Sequence, residues 1–371
     1  MKFLIVTHVV HTQKEGQIYG YAPYIREMNI WLKYVDEVII VAPIENRAVS
    51  SIDICYQHTK IKFVAVPQFS LVNATEIVKT AVKLPLLFSK VFSAMKRADH
   101  IHLRCPGNMG LIGCVLQIAF PKKSKTAKYA GNWDPKSKQP WTYRLQQKFL
   151  RNTSFTKNMQ VLVYGDWENE TKNIKSFFTA TYAERDKETV LPRTYAGKLK
   201  FLFVGMLAAG KRPEYAIDYV VGLRKKGVNA SLDIFGDGLL RHDLEKLIQE
   251  HQVEHYISLR GNQPKDIVQK AYKESHFMIL PSKSEGWPKV VAEAMFWGCI
   301  PISTDVSCVS FMLDKGKRGI VLSLNLEEDI KQFSNLCVDE IQLQEMAKSA
   351  EIWSRSYTTD YFDSEIQKLL H

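Results

Sequence analysis

The chain has 371 residues, 46% hydrophobic and 24% charged, with a formal net charge of +11. This composition excludes collagenous, disordered and coiled-coil classes, and the length suggests two domains. The longest nearly uninterrupted apolar run, 109–120, is interrupted by Gln117 and falls well short of the ~20 residues a spanning helix needs.

The charge is uneven. Residues 1–195 hold 28 Lys and Arg against 15 Asp and Glu, a balance of +13; residues 196–371 hold 22 against 24, a balance of −2. Such asymmetry points to an anionic partner for the first half: nucleic acid, an anionic membrane surface or an anionic acceptor. The six cysteines form no CxxC pair, which suits a reducing cytosol and no zinc site.

From the N-terminus, MKFLIVTHVV reads as a first buried strand, because no small-residue cleavage site follows its short apolar part. Strand 3–7 ends at His8, and a polar loop with Gly16 and Gly20 leads into a helix at 21–34. Further strands are expected at 37–41, 61–66, 100–103, 126–130 and 161–164. Residues 83–97 (KLPLLFSKVFSAMKR) form a basic amphipathic helix, which either packs on the sheet or lies on an anionic membrane. Basic loops at 121–128 and 144–157 add to the charge of this half.

The polar stretch 179–198 breaks the alternation and reads as a linker around 181–198. A second series of strands follows at 199–204, 230–235, 257–259, 277–280, 300–303 and 320–322, with helices at 215–226, 239–251 and 265–274 between them. A long helical pattern, 341–371, is interrupted at 354–359. Strands alternating with helices predict βαβ units and parallel sheets, and runs such as FLIV, VIIV, FLFV and FMIL are those of strands buried on both faces. The expected fold is α/β: two Rossmann-like doubly wound domains facing a cleft, 1–180 and 199–356, with a terminal helix from about 357 packing back on the first. Ligands of such sheets bind beyond the carboxyl ends of the strands.

The most informative stretch is 279–302, ILPSKSEGWPKVVAEAMFWGCIPI. It reads as a strand, a loop, a helix over 288–297 opened by Pro288 and stopped by Gly298, and another strand. Glu285 and Glu293 frame the helix start. A helix N-terminus can hold a diphosphate, and two carboxylates separated by ~8 Å along it could reach the hydroxyls on either side of a nucleotide-sugar diphosphate. Taken alone, two such glutamates read more simply as a loop residue and an exposed helix residue. The sequence has no Asp-x-Asp, no metal-spaced His or Cys cluster and no GxGxxG after the first strand, so neither a metal nor a nicotinamide or flavin cofactor is expected.

The order of motifs resembles the Glu-x7-Glu signature of retaining glycosyltransferases of the GT-B architecture, in particular family 4, over most of 199–322. FLFVGMLAAGK (201–211) is similar to that family's phosphate loop, LDIFGDGLL (232–240) to its Gly-Asp-Gly turn and ISLRGN (257–262) to its nucleobase-side strand and loop. SEGWPK…AMFWGCIPI, with NWDP at 132–135, further resembles bacterial enzymes of surface-polysaccharide synthesis. The resemblance implies that Glu285 contacts the donor sugar, Glu293 binds ribose and Lys211 neutralises the leaving diphosphate. Backbone around Gly286, Trp287 and Lys289 would cradle the diphosphate, with Gly205, Arg212, Gly236, Asn262 and Gly16 completing the donor site. Two departures stand out. Met206 follows Gly205 where the family usually has Arg, so Arg212 or Lys289 would substitute. No His follows the strand at 126–130, so an acceptor-side role passes to Asn132, Asp134, His102 or Arg104, of which Asp134 is the catalytic candidate.

The implied activity is transfer from a UDP- or GDP-sugar to a glycan or lipid-linked acceptor at the cytoplasmic face of the cell membrane, without metal and without nucleic acid. A nucleotide-sugar epimerase or a phosphorolytic enzyme of the same architecture remains an alternative. A nucleic-acid-binding protein is suggested only by the basic half.

Overall fold

The computed structural model describes residues 1–50, 52–69 and 74–371, with the side chains of 74–82 left aside. The chain divides into two compact units, Met1–Phe177 with Asp363–His371, and Phe178–Phe362.

The first unit is built on a parallel sheet in the order Ile174–Phe177, Met159–Tyr164, Ser124–Tyr129, His100–Cys105, Lys2–Val6, Glu37–Pro43, Ile61–Val66. Beyond their first residues, the central strands Lys2–Val6 and Glu37–Pro43 are apolar and buried on both faces. Helix Ala74–Arg97 buries Leu87, Val91, Ala94 and Met95 at helical spacing against the core that includes Leu4, Val6 and Leu103. The basic amphipathic segment therefore packs on the sheet. Its outer side carries Leu86 and Phe92, 51% and 42% exposed.

Three expectations for this unit change. The loop expected after the first strand is an antiparallel hairpin, His11–Lys14 with Gln17–Tyr21, extended by Asp53–Cys55. Glu15 and Gly16 both take positive φ, 50° and 78°, at its tip, the twist that a two-residue hairpin turn requires. Gly16 is thus a turn residue. Residues 121–128 are not a basic loop either. Lys123 donates to the carbonyls of Met95, Lys96 and Ala98 and closes the C-terminus of helix Ala74–Arg97. Lys125 and Lys128 are buried in the strand Ser124–Tyr129, and burial pulls the Lys125 ammonium down to about 8. Finally, His102 is fully buried, stacked on Phe3 and packed on Trp31, with Nδ1 bonded to Thr126 Oγ1 at 2.9 Å. It is a core residue, unavailable to a substrate.

Burial lowers His11 and His100 from 6.5 to about 4. An unfolded chain takes up protons at these sites below about pH 6.5, whereas the folded unit refuses them until about pH 4. Stability should therefore drop as pH falls through that window, by about 1.4 kcal/mol per pH unit for each histidine. Urea midpoints at pH 7 and pH 5 check this; equal midpoints would contradict it.

The second unit holds a parallel sheet in the order Ile257–Gly261, Ala230–Phe235, Leu199–Val204, Phe277–Leu280, Ile300–Thr304, Ile320–Leu322. The order reverses between Leu199–Val204 and Phe277–Leu280, which opens a crevice at their carboxyl ends. Helix Glu340–Arg355 packs on helix Lys289–Phe296, where Ser354 Oγ donates to Ala292 O at 2.6 Å.

Residues 181–198, expected as a linker, pack into this unit. Tyr182 and Tyr195 are buried. Arg193 donates to the carbonyls of Tyr272, Lys273, Trp297 and Gly298, capping helices Lys265–Glu274 and Lys289–Phe296 at their C-termini. One guanidinium thus satisfies the ends of two helices, a role that polar composition does not reveal. Arg193→Met should destabilise the unit by about 3 kcal/mol, because four carbonyls lose a charged donor. Chemical denaturation checks this; a loss under about 1 kcal/mol would show that water replaces the guanidinium.

Candidate active site

The candidate site lies along the carboxyl edge of the second sheet. The loop after Leu199–Val204 brings Gly205, Lys211 and Arg212, and the loop after Phe277–Leu280 brings Glu285, Gly286 and Trp287. These two loops flank the reversal of strand order. They are joined where Lys283 N–H donates to Gly210 O at 2.8 Å and Arg212 Nη1 to Pro281 O at 3.4 Å. Across that junction Lys211 Nζ meets Glu285 Oε1 at 2.5 Å, with the glutamate side chain only 8% exposed. The motif's cation and first carboxylate are therefore one ion pair at the switch point.

Neighbouring loops are laced to these by backbone bonds. Gly205 N–H donates to Phe235 O, Gly236 N–H to Gly261 O and Leu207 N–H to Asp237 O, at 2.8–3.0 Å. Gly236 has φ +138°, and a Cβ there would lie 1.9 Å from Gly205 O. Only glycine lets these two turns pass backbone to backbone. Asn262 is exposed just beyond Gly261.

The helix expected to start at Pro288 starts one residue later. Pro288 is its N-cap, with ψ 91°, and the helix runs Lys289–Phe296. Its hydrogen bonding opens with Val291 N–H to Pro288 O at 2.9 Å. The stop at Gly298 is as expected. With φ +64°, it donates to Met295 O while Cys299 N–H donates to Ala294 O, both at 2.9 Å, the paired bonds of a Schellman motif. Trp287 anchors the loop by stacking on Trp353 at 6.1 Å.

Residues not singled out from the sequence complete the site. Ser307 Oγ and Cys308 Sγ both donate to Gly286 O, at 3.2 and 3.0 Å, and fix the Gly286–Trp287 peptide. Ser307 takes φ +55° to do so. The second carboxylate has a separate setting. Glu293 Oε1 accepts from Thr181 Oγ1 at 2.8 Å and Oε2 from the Tyr272 hydroxyl at 3.2 Å. Burial, reinforced by Glu293, pushes the Tyr272 hydroxyl well up, so it stays a donor. Glu285 and Glu293 thus differ in chemistry: one is paired with a cation, the other is steadied by neutral hydroxyls.

In the first unit, NWDP forms a tied turn. Asn132 Oδ1 accepts from Asp134 N–H at 2.9 Å, and Asp134 Oδ1 from Lys136 N–H at 2.8 Å. Asp134, expected to be catalytic, has a turn-forming role here, favoured by the short side chains of Asn and Asp. Arg104 is held by Glu27 at 2.8 Å. Among the described residues, no group of three His, Cys, Asp or Glu side chains could hold a metal ion, and no helix is long and apolar enough to cross a membrane.

Two parallel-sheet α/β units, the second with its charged pair at the switch point, define the two-Rossmann GT-B architecture. Residues 185–353 match the family Glycosyl transferases group 1. The chain is 29% identical over 150 residues to alpha-D-kanosaminyltransferase of Streptomyces kanamyceticus, covering 40% of this chain and 39% of that protein. It is 28% identical over 186 residues to lipopolysaccharide 1,6-galactosyltransferase of Escherichia coli, covering 48% and 50%. The chain thus spans about half, or less, of the length of these curated relatives. The solved structure of Anabaena HepE in complex with UDP and glucose superposes with a TM-score of 0.68 at 14% identity, over 100% of this chain and 99% of that one.

Proposed function

We propose that the chain is a retaining glycosyltransferase that moves a sugar from a UDP- or GDP-sugar to a glycan or lipid-linked acceptor in surface-polysaccharide synthesis. The observation that carries this reading is the Lys211–Glu285 pair at the switch point. A diphosphate arriving at the start of helix Lys289–Phe296 draws Lys211 toward itself, aided by Arg212, Lys289 and the helix dipole, and no metal is required. Glu285 is then released to accept from the donor sugar's hydroxyls, while Glu293 accepts from the ribose. The bond from anomeric carbon to phosphate oxygen breaks as the acceptor oxygen bonds to the same face of that carbon. The leaving diphosphate takes the acceptor's proton, and Lys211 stabilises the charge that develops.

The HepE complex supports UDP as the first nucleotide to try. The balance of +13 over residues 1–195, with Leu86 and Phe92 exposed on helix Ala74–Arg97, supports a seat on the anionic cytoplasmic face of a membrane. Calorimetry against UDP, GDP, ADP and CMP, followed by incubation with the matching nucleotide-sugar with and without acceptor, tests the reading. Acceptor-dependent release of nucleoside diphosphate is expected. Acceptor-free conversion of the donor would favour an epimerase, and no nucleotide binding would end the proposal.

A further inference from the structure

Helix Glu340–Arg355 presents two different sides. Leu343, Met346 and Ala350 are buried and hold it to the second unit. At ~100° per residue, positions 341, 345, 348 and 352 fall within about 60° of arc on the opposite side. All four are exposed, Ile341 by 71% and Ile352 by 62%. The apolar surface extends past the helix. Val338, just before it, is 86% exposed, and Leu191 is 76% exposed beside a cavity of about 290 Å³ that Val190, Pro192, Gln344 and Ala347 also line. Single exposed apolar residues are ordinary, but a cluster of four marks a contact surface.

The order along the stripe identifies the partner. It reads Ile341, Glu345, Lys348, Ile352, with its midpoint between Glu345 and Lys348. Positions 341 and 352 are equally far from that midpoint, and so are 345 and 348. Against an identical stripe running the other way, Ile341 meets the partner's Ile352, and Glu345 meets the partner's Lys348. Each contact then occurs twice, as a two-fold interface requires. A slip of one helical turn would instead set Ile341 against the partner's Lys348, so charge and apolar contacts select the same register. The stripe is thus complementary to itself in both charge and hydrophobicity.

The charged groups are available for this pairing. Among the described residues, none gives Glu345 a hydrogen bond or an ion pair. Lys348 Nζ lies 3.0 Å from Glu351 Oε2, but Arg355 also pairs with Glu351, at 2.7 Å, and an ammonium carries three donors. Lys348 can therefore turn outward without leaving Glu351 uncompensated. We propose that the chain forms a two-fold symmetric homodimer through this stripe, two antiparallel copies of helix Glu340–Arg355 setting Glu345 on the partner's Lys348 between flanking isoleucine contacts. The helix has 16 residues, so the strip is ~24 Å long and ~10 Å wide. That is smaller than the ~800 Å² each partner gives to a standard interface, and the dimer is accordingly weak and concentration-dependent. The inference does not rest on the proposed activity.

Sedimentation velocity of the full chain from about 1 to 300 µM tests it, with thermal melting at the lowest concentration as the check that each variant folds. The parent should pass from monomer to dimer with a Kd of about 10–100 µM. Ile341→Asp and Ile352→Asp should each remain monomeric throughout. Glu345→Lys and Lys348→Glu should each raise the Kd about tenfold or more, because like charges then face each other, and the double variant should return to within about threefold of the parent. A parent that stays monomeric at about 300 µM, a dimer that survives Ile341→Asp, or a double variant that associates no better than the single ones would each overturn the proposal.

Discussion

Glu285→Gln is expected to lower turnover about 100- to 1000-fold while nucleotide affinity stays within about threefold. The amide keeps the size of the carboxylate but removes its charge, and with it the 2.5 Å pair to Lys211. If the carboxylate works chiefly in the transition state, where the sugar gains positive character and its hydroxyls become better donors, the loss appears in turnover and not in ground-state binding. Measuring kcat from nucleoside diphosphate release beside the calorimetric Kd for UDP or GDP separates the two. Normal turnover would remove Glu285 from the site. Equal losses in kcat and affinity would instead recast it as a scaffold for Lys211.

Glu293→Ala is expected to weaken nucleotide binding about 10- to 100-fold. A carboxylate accepting from vicinal hydroxyls makes charge-assisted bonds, each worth about 1.5–3 kcal/mol. The diagnostic is selectivity: the parent protein should prefer UDP or GDP to its 2′-deoxy form, and Glu293→Ala should lose that preference. Tyr272→Phe removes one of the two hydroxyls that steady the carboxylate. It should produce a smaller loss, about threefold to tenfold, in the same direction. A Glu293→Ala protein that binds the nucleotide normally would place the ribose elsewhere.

Much of the fold was legible because parallel strands buried on both faces announce themselves as continuous apolar runs. The strands at 61–66, 199–204, 230–235, 277–280 and 320–322 lie at their expected bounds. The edge and surface strands His11–Lys14, Asp53–Cys55 and Ile174–Phe177 escaped notice, because polar, short or half-exposed segments lack that signal. At the candidate site, the spacing of Glu285 and Glu293 was visible, as was the glycine stop at Gly298. Their partners were not. Thr181 lies 112 residues before Glu293 and Lys211 lies 74 before Glu285, so only the folded unit brings them together. Lysine charge misled in the opposite direction. A run such as PKKSKTAK looks like a solvated basic loop, yet it enters a strand covered on both faces, which buries Lys125 on one side and Lys128 on the other.

The Arg193 clasp has a practical corollary for anyone dissecting the molecule. A shortened protein begun at Leu199, the natural cut from a strand map, would discard the cation that seals Tyr272, Lys273, Trp297 and Gly298, and Thr181 with it. Tyr272 also bonds Glu293, so loosening the tail end of one helix would slacken the side chain proposed to read the ribose. The segment before the first strand of the second unit is its keystone, and a free-standing nucleotide-binding half has to include it.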